Sequence, residues 1–152
     1  MGHLPQTRPS KNCPGSHCTV GIWVGDGMGD ADPNDLNVFN GKLYFMAWID
    51  NYNERHVFVY DGVNDPTKAF DINPRGDDGV EDLFTHEGSL WFGAYFNGRD
   101  ELWTWDGENE PHQVTDINPD GIADPWKFTS LDGKLYFQAD TEEFGEELWV
   151  YG

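Results

Sequence analysis

Side chains able to bind a cation are concentrated in one short stretch of the sequence, DINPDGIAD, at residues 116–124. Acidic or amide side chains occupy alternating positions at its start, and one more aspartate follows a glycine. Calcium takes six to eight oxygen ligands, and a tight loop with this spacing can supply most of them. Gly121 permits the sharp turn that such a loop needs. We therefore predict a Ca²⁺ site at the side chains of Asp116, Asn118, Asp120 and Asp124.

The same residues also suit an ordinary turn. In that alternative, the Asp and Asn side chains bond to the nearby backbone and Pro119 fixes φ. A related stretch, DINPRGDDG at residues 71–79, has Arg75 where Asp120 stands and Gly79 where Asp124 stands. The ligand pattern is therefore incomplete there, and the sequence predicts a single cation site on a turn that is repeated.

These turns belong to a repeat of about 45 residues. The runs NGKLYFMAW, EGSLWFGAY and DGKLYFQAD begin at residues 40, 87 and 132, and HVFVYDG, ELWTWDG and ELWVYG follow at 56, 101 and 147. Apolar residues alternate along the runs as in half-buried β-strands. Glycine-containing pairs such as Asn40-Gly41 and Asp132-Gly133 precede the first set and favour tight hairpins. Each unit divides into four short strands, which is the size of a β-propeller blade.

We predict an all-β fold of three four-stranded propeller-type blades, preceded by an arm at residues 1–18. The repeats cover approximately 25–72, 73–117 and 118–152. The last unit lacks a fourth strand, whereas a spare strand at 19–24 precedes the first unit and aligns with the fourth-strand position. We expect this strand to complete the last blade by pairing with residues 147–151, within the chain or between chains.

Three blades are fewer than the four to eight of ordinary propellers. We therefore expect a homo-oligomer, in which copies form a ring or exchange strands into a filament. A compact three-unit fold and a fragment of a longer array remain open as alternatives. An unpaired edge strand readily pairs with another chain, which favours assembly.

The repeated residues resemble the bacterial ELWxxDGT repeat family, whose units carry NGKLYF, ELWxxDG and DINPG elements. The resemblance covers about residues 19 to 152 and depends on Glu101-Leu102-Trp103, Glu147-Leu148-Trp149 and the two DINP copies. His56-Val57-Phe58 departs from the ELW triplet, and no copy keeps a threonine after Asp-Gly. The resemblance implies propeller-like repeats of an extracellular or cell-surface protein and supplies little chemistry. The stretch at 116–124 is likewise similar to the calcium loops of integrin-type propellers. This resemblance implies Asp116, Asn118, Asp120 and Asp124 as side-chain ligands, with the carbonyl oxygen of Ile122 as a further ligand.

The chain is strongly acidic, with 28 Asp and Glu against 9 Lys and Arg and a formal net charge of −19 over 152 residues. Such a surface repels nucleic-acid phosphates and anionic membranes, so neither is an expected partner. No apolar run reaches the ~18 residues needed to span a bilayer, and the first 18 residues lack the apolar segment of a secretion signal. The five histidines hold no common place in the repeat, and motifs of familiar enzyme classes are missing. We expect no enzyme.

Aromatic residues make up 15% of the chain, including seven tryptophans. Exposed aromatic rings beside Asp and Asn suit carbohydrate binding, although stacked sheets can bury both faces of a strand. We predict Trp48, Trp105 and Trp126 as ligand-binding residues of a non-catalytic extracellular module for carbohydrate or a protein surface. The alternative is a structural subunit that assembles by strand exchange. Cys13 and Cys18 predict a small disulfide loop, with free thiols or a metal pair with His17 as alternatives.

Overall fold

The computed structural model describes residues 21–22, 24, 30–49, 54–74, 76–119 and 121–152. Eleven β-strands lie in these ranges, and no helix occurs among the residues described. In chain order the strands are β1 (Asn34–Phe39), β2 (Lys42–Ile49), β3 (Glu54–Tyr60), β4 (Thr67–Lys68), β5 (Val80–His86), β6 (Ser89–Phe96), β7 (Arg99–Trp105), β8 (His112–Gln113), β9 (Trp126–Leu131), β10 (Lys134–Thr141) and β11 (Gly145–Tyr151). Consistent with this, the described part of the chain contains no helix long and apolar enough to cross a membrane.

The strands form three antiparallel sheets in chain order. The first sheet has the order β1-β2-β3-β4, the second β5-β6-β7-β8, and the third β11-β10-β9. Each sheet comes from one repeat, and neighbouring sheets contact each other through β1 and β5 and through β5 and β9. The predicted all-β fold of blade-type sheets is confirmed. In the third sheet, β11 is an edge strand, since no described segment pairs with its outer side.

The hairpin between the first and second strands has the same form in every sheet. Its two central residues both have positive φ, for example 48° at Asn40 and 71° at Gly41. A type I′ turn requires this at both positions and matches the twist of the flanking strands. The second position is glycine in all three hairpins, because a residue without a Cβ adopts this conformation without strain. The dipeptides that predicted hairpins therefore form them.

The first strand of each sheet is also irregular at a repeated point. The register of β1, β5 and β9 against the second strand shifts near the strand start. Asp35, Asp82 and Lys127 lie within or at these shifts with φ of 48°, 58° and 55°. Such bulges increase the local twist of a strand. The recurrence shows that the repeat extends to backbone conformation as well as to residue type.

Apolar side chains fill the two spaces between sheets. The first cluster joins the first and second sheets and includes Phe39, Met46, Phe92 and Trp105. The second joins the second and third sheets and includes Leu102, Leu135 and Phe137. A smaller cluster on the first sheet consists of the buried residues Phe45, Ala47 and Phe58, with partly buried residues including Val24 and Ala31 packed against them. The described residues Val24 and Ala31, which precede β1, therefore pack on the first sheet.

The predicted pairing of strand 19–24 with residues 147–151 falls largely outside the described residues. Of that strand, the structure describes Gly21, Ile22 and Val24, and none of the three is in a strand. Ile22 and Val24 line an apolar groove with Leu43, Phe45 and other residues of the first sheet. The pairing stays a prediction, and so do the arm at 1–18 and the Cys13–Cys18 disulfide, which lie outside the described ranges.

Candidate functional site

The repeated DINP turns lie at one end of the sheets. In an antiparallel meander, successive connections alternate between the two ends. The turns that lead into β5 and β9 (residues 69–79 and 114–125) therefore lie at the same end as the hairpins that join the second and third strands. We call this the DINP end. Trp48 at the end of β2 and Trp126 at the start of β9 lie there, whereas Trp105 lies at the opposite end of β7.

The first DINP turn, residues 71–79, is held by the fully buried side chain of Asp78. Its Oδ1 accepts hydrogen bonds from the N–H groups of Ile72 at 2.9 Å and Asn73 at 3.0 Å. Its Oδ2 lies 2.7 Å from Nδ1 of His56 on β3. The carboxylate therefore satisfies two backbone donors and also ties the turn to the first sheet.

The imidazole of His56 lies between two carboxylates and is 2% exposed. Its Nε2 is 3.3 Å from Oε2 of Glu54, and its Nδ1 faces Asp78. Burial disfavours the charged ring, but the hydrogen bond and the negative charge of Asp78, helped by Glu54, outweigh burial and raise the pKa of His56. Lys68 opposes this increase by its positive charge.

Asp71 adds a third ionisable group to this cluster. Its Oδ2 accepts a hydrogen bond from Nζ of Lys68 at 2.9 Å. Its Oδ1 is buried and has no hydrogen-bond partner among the described residues. One nitrogen or oxygen of each of His56, Asp71 and Asp78 lies within 4.8 Å of the other two. Sequence reasoning missed this cluster, although the replacement of the ELW glutamate by His56 was a visible signal.

In the second DINP turn, residues 116–124, Glu101 on β7 does what Asp78 does in the first. Its Oε2 accepts the N–H of Ile117 at 2.9 Å, and the N–H of Asn118 also donates to this carboxylate. Glu101 is 1% exposed. Burial raises the pKa of Glu101, and the two backbone hydrogen bonds oppose the increase. Ala123 occupies the position of Asp78 in this unit, so the turn itself carries no equivalent carboxylate.

In both turns, the asparagine side chain of DINP makes a hydrogen bond across the turn. Nδ2 of Asn73 donates to the carbonyl of Asp77 at 3.0 Å, and Nδ2 of Asn118 donates to the carbonyl of Ile122 at 3.1 Å. The next glycine closes each turn by donating its N–H to the asparagine carbonyl. A Cβ at Gly121 would lie 2.8 Å from Nδ2 of Asn118. A side chain at position 121 would therefore crowd the amide of Asn118, whereas the equivalent distance at Gly76 is 3.6 Å.

Two of the five predicted Ca²⁺ ligands accept hydrogen bonds from other side chains. Asp116 accepts a hydrogen bond from Arg99 at 3.2 Å, and the carbonyl of Ile122 accepts the amide of Asn118. Asp124 is exposed, and Asp120 lies outside the described residues. These bonds support the turn alternative, while the calcium prediction itself stays untested.

The predicted ligand-binding tryptophans have different surroundings. Trp48 and Trp126 are half-buried, with Arg55 5.4 Å and Lys127 3.7 Å from the centre of the respective ring. Trp105 is 7% exposed, and its Nε1 donates to the carbonyl of Asn109 at 2.6 Å. The prediction for Trp105 is corrected, because its ring belongs to the core between the first and second sheets.

Tyr95 occupies the repeat position of Trp48 and is 48% exposed. Sequence reasoning did not include it among the ligand-binding residues. The alignment of NGKLYFMAW with EGSLWFGAY would have found it, because both runs end in an aromatic residue at the DINP end. The second sheet therefore contributes an exposed aromatic ring at the DINP end.

Asp100 lies at the start of β7, at the same end. Its burial, followed by the negative charges of Asp124, Glu81 and Glu101, raises the pKa of Asp100 to about 7. In the first unit this position is Arg55, whose Nη2 lies 3.3 Å from Oε1 of Glu81. Glu81 thus interacts with the guanidinium of Arg55 and with the partly buried carboxyl group of Asp100.

Comparison with known proteins bears on the fold. No protein-family model matches the chain, and neither does any curated protein. One similar solved structure is the acylaminoacyl peptidase of Pyrococcus horikoshii, with a TM-score of 0.51 and 16% identity over 73% of this chain and 17% of that chain. Another is the β-propeller domain of the Trilobed protease of Pyrococcus furiosus, described as having an open velcro topology, with a TM-score of 0.49 and 20% identity over 72% of this chain and 34% of that chain. The chain spans only a fraction of these proteins, and at this identity the likeness concerns the fold alone.

Proposed function

We propose that this chain is a non-catalytic, extracellular binding module that holds a carbohydrate at the DINP end of its sheets. The observation that carries the proposal is the concentration of partly exposed aromatic rings there, at Trp48, Tyr95 and Trp126. The opposite end carries the partly exposed tyrosines Tyr60, Tyr136 and Tyr151, whereas its Trp105 is in the core. The two tryptophans with partly exposed rings at the DINP end, Trp48 and Trp126, therefore distinguish that end among the described residues.

The chemistry of the DINP end suits hydroxyl-rich ligands. An aromatic ring packs against the apolar C–H face of a sugar, and a few well-placed polar groups then fix its orientation. Asp124 and Glu81, both exposed at this end, offer carboxylate acceptors. Arg55 and Lys127, which lie beside the two indole rings, offer donors.

Binding is favoured over catalysis because the buried carboxylates already serve the fold. Asp78 and Glu101 each accept two backbone N–H groups of a DINP turn. A general acid or base must be within reach of a substrate proton, and these two groups face the backbone instead. The function therefore depends on surface rings and exposed polar groups.

A glycan array followed by calorimetry tests the proposal with the wild type, Trp48→Ala and Trp126→Ala. Truncation of a central aromatic anchor typically costs about 2 kcal/mol or more, or roughly 30-fold in affinity. Leu131→Ala is the matched control, because Leu131 is 59% exposed at the opposite end. An array without binding would overturn the proposal, as would binding that neither tryptophan variant weakens. Binding to a protein surface and to no glycan would overturn the carbohydrate proposal and favour a protein as the ligand.

A second candidate function, assembly through sheet edges, is favoured by the exposure of β11. Leu148 on this strand is 75% exposed and Val150 is 52% exposed. The equivalent residues of Leu148 on β7 and β3, Leu102 and Val57, are fully buried. In those two sheets a fourth strand also covers the edge. The third sheet thus presents an apolar surface and an unpaired edge of the kind that adds another strand.

Light scattering with size-exclusion chromatography over a range of concentrations tests this candidate. We expect the wild type to form a ring-sized oligomer or growing filaments, and Leu148→Lys to be monomeric because a charge cannot be buried cheaply at such a contact. Leu131→Lys is the control of equal chemistry on another surface. A wild type that stays monomeric at high concentration would exclude assembly, and discrete oligomers that bind a glycan would support both functions.

Calcium at the second turn remains part of the proposal as a stabilising ion. Calorimetric titration of the wild type and of Asp120→Ala with Ca²⁺ tests it. Equal heats in the two proteins, or no heat in either, would show that residues 116–124 form a turn alone.

A further inference from the structure

We propose that His56, Asp71 and Asp78 form a binding site for a divalent transition metal of the zinc type at the first DINP turn. This site lies on different residues from the predicted calcium loop, and it does not depend on the carbohydrate proposal. It is built from β3 and from the turn that follows β4, so a bound ion would join the turn to the first sheet.

Each of the three side chains has one nitrogen or oxygen held by hydrogen bonds to other groups. Nε2 of His56 faces Glu54, Oδ2 of Asp71 accepts from Lys68, and Oδ1 of Asp78 accepts two backbone N–H groups. Metal-binding side chains are typically oriented in this way by outer hydrogen bonds, and a bound histidine usually donates its second N–H to a carboxylate or carbonyl. Outer contacts of this kind are therefore in place for every proposed ligand.

The three side chains bring potential metal ligands close together. Nδ1 of His56 and Oδ2 of Asp78 are 2.7 Å apart, and Oδ1 of Asp71 is buried without a hydrogen-bond partner within the described ranges. The three side chains each place one ligand atom within 4.8 Å of the others. A buried carboxylate oxygen without a partner is costly, and an ion in this space would satisfy it.

The ligand set distinguishes between metals. Calcium prefers six to eight oxygens, whereas one imidazole nitrogen and two carboxylate oxygens suit zinc with a water in the fourth position. Zinc–ligand bonds of about 2.0–2.2 Å place tetrahedral ligands about 3.4 Å apart, so the His56–Asp78 contact would open by about 0.7 Å on binding. A divalent charge would also neutralise the two carboxylates in a site where His56 and Asp78 are almost fully buried.

The second turn provides an internal control. Asp116 occupies the position of Asp71 and is likewise paired with a cation, Arg99. The positions of His56 and Asp78 are taken by Glu101 and Ala123. The second turn thus lacks the imidazole and one carboxylate of the proposed set, and the proposal predicts one such site in the chain.

The test is calorimetric titration of the full chain with Zn²⁺ alone, comparing the wild type, Asp71→Asn and Asp116→Asn. Asp71→Asn removes one ligand but keeps the His56–Asp78 contact, so the fold should persist, and circular dichroism in a chelator checks this. Loss of an outer hydrogen bond typically weakens metal binding by about 10- to 100-fold, and we expect loss of a direct ligand to weaken this site by more than about 100-fold. Asp116→Asn should bind zinc as the wild type does.

Zinc could also bind Cys13, His17 and Cys18 in the arm. The quantity that tests the proposal is therefore the zinc binding that the wild type shows and Asp71→Asn loses. Co²⁺ separates the two sources, because a cysteine-bound cobalt ion shows a thiolate charge-transfer band and the proposed site should not. A zinc isotherm that is identical for the wild type and Asp71→Asn would overturn the proposal. So would an equal weakening by Asp71→Asn and Asp116→Asn, or the absence of zinc binding by the wild type.

Discussion

In the second DINP turn, Glu101 reaches from β7 directly to the N–H groups of Ile117 and Asn118. In the first turn, the equivalent residue is His56, and a neutral imidazole has only one acceptor nitrogen. Asp78, from the turn itself, accepts the two N–H groups there, and His56 contacts the other oxygen of its carboxylate. The backbone of the two turns is nevertheless closed by the same asparagine and glycine hydrogen bonds.

The difference shows that the fold requires a carboxylate at one place in space, rather than at one place in the sequence. Buried backbone N–H groups cost free energy when they have no acceptor. The second unit meets this need with one residue. The first unit meets it with Asp78, and His56, at the position of Glu101, contacts the other oxygen of that carboxylate. The first unit therefore holds an additional ionisable side chain in a buried site.

Removal of the carboxylate from the first turn should have the largest effect. Asp78→Ala leaves two N–H groups and the His56 ring without their partner, and we expect a loss of about 3–4 kcal/mol in the free energy of unfolding. Urea denaturation with a chelator present measures this without a contribution from bound metal. Asp77→Ala is the control, since the side chain of Asp77 accepts a single backbone N–H, from Gly79, among the described contacts. A loss below about 1 kcal/mol would contradict the role of Asp78.

Transfer of the second arrangement to the first turn should recover most of that loss. In the double variant His56→Glu, Asp78→Ala, the new glutamate occupies the position of Glu101 and can reach the N–H groups of Ile72 and Asn73. We expect a recovery of about 2–3 kcal/mol relative to Asp78→Ala alone. The variant His56→Ala, Asp78→Ala should recover nothing. If both double variants are equally unstable, the two turns are not interchangeable.

The comparison of Arg55 with Asp100 predicts a pH-dependent difference. Because the folded-state pKa of Asp100 is raised to about 7, the folded protein binds a proton more tightly than the unfolded chain, and stability decreases as pH rises from about 4 to 7. Asp100→Asn should therefore be more stable than the wild type by about 1–2 kcal/mol at pH 8. This figure is reduced because the side chain of Asp100 is partly exposed to solvent. The difference in stability should vanish near pH 4.

Asp106 gives the opposite sign in the same experiment. The side chain of Asn109, followed by the N–H groups of Asn109 and Glu108, lowers the pKa of Asp106 to about 2. Its contribution is present above about pH 4 and is lost as pH falls through about 2. Asp106→Asn should thus be less stable than the wild type at neutral pH, with the difference closing in acid. Parallel pH profiles for the two variants would refute the assigned environments.

The exposed ion pair of the second turn should matter least. Arg99 and Asp116 have side chains that are 46% and 50% exposed, and such pairs typically contribute about 0–1 kcal/mol. We expect Arg99→Ala to change the unfolding free energy by less than about 0.5 kcal/mol, measured by the same urea denaturation. A larger loss would mean that Asp116, as well as Glu101, fastens the second turn.

The strands and hairpins could be predicted from local patterns. Period-2 alternation in KLYF-type runs and the pairs Asn40-Gly41 and Asp132-Gly133 describe interactions between residues close in sequence, and the structure contains the expected strands and type I′ turns. The repeat added strength to each assignment, since a strand found in one unit is expected in the others.

The candidate site was predicted only in part. Alternation along β7 places Trp103 and Trp105 on the same face of the strand, but it does not show whether a neighbouring sheet covers that face. Both residues are buried, because that face packs against the first sheet. The contact of His56 with Asp78 spans 22 residues, and no local pattern predicts which carboxylate will meet an imidazole across that distance.

By itself, the sequence determined the β-strands, their hairpins, the repeat and the two DINP turns, since these depend on φ preferences, side-chain alternation and glycine at positions of positive φ. The tertiary structure alone decided which carboxylate fastens each turn, which tryptophans remain accessible and which acids have shifted pKa values. These properties depend on burial and on charges brought together from distant parts of the chain. Such contacts are settled only when the sheets pack against each other.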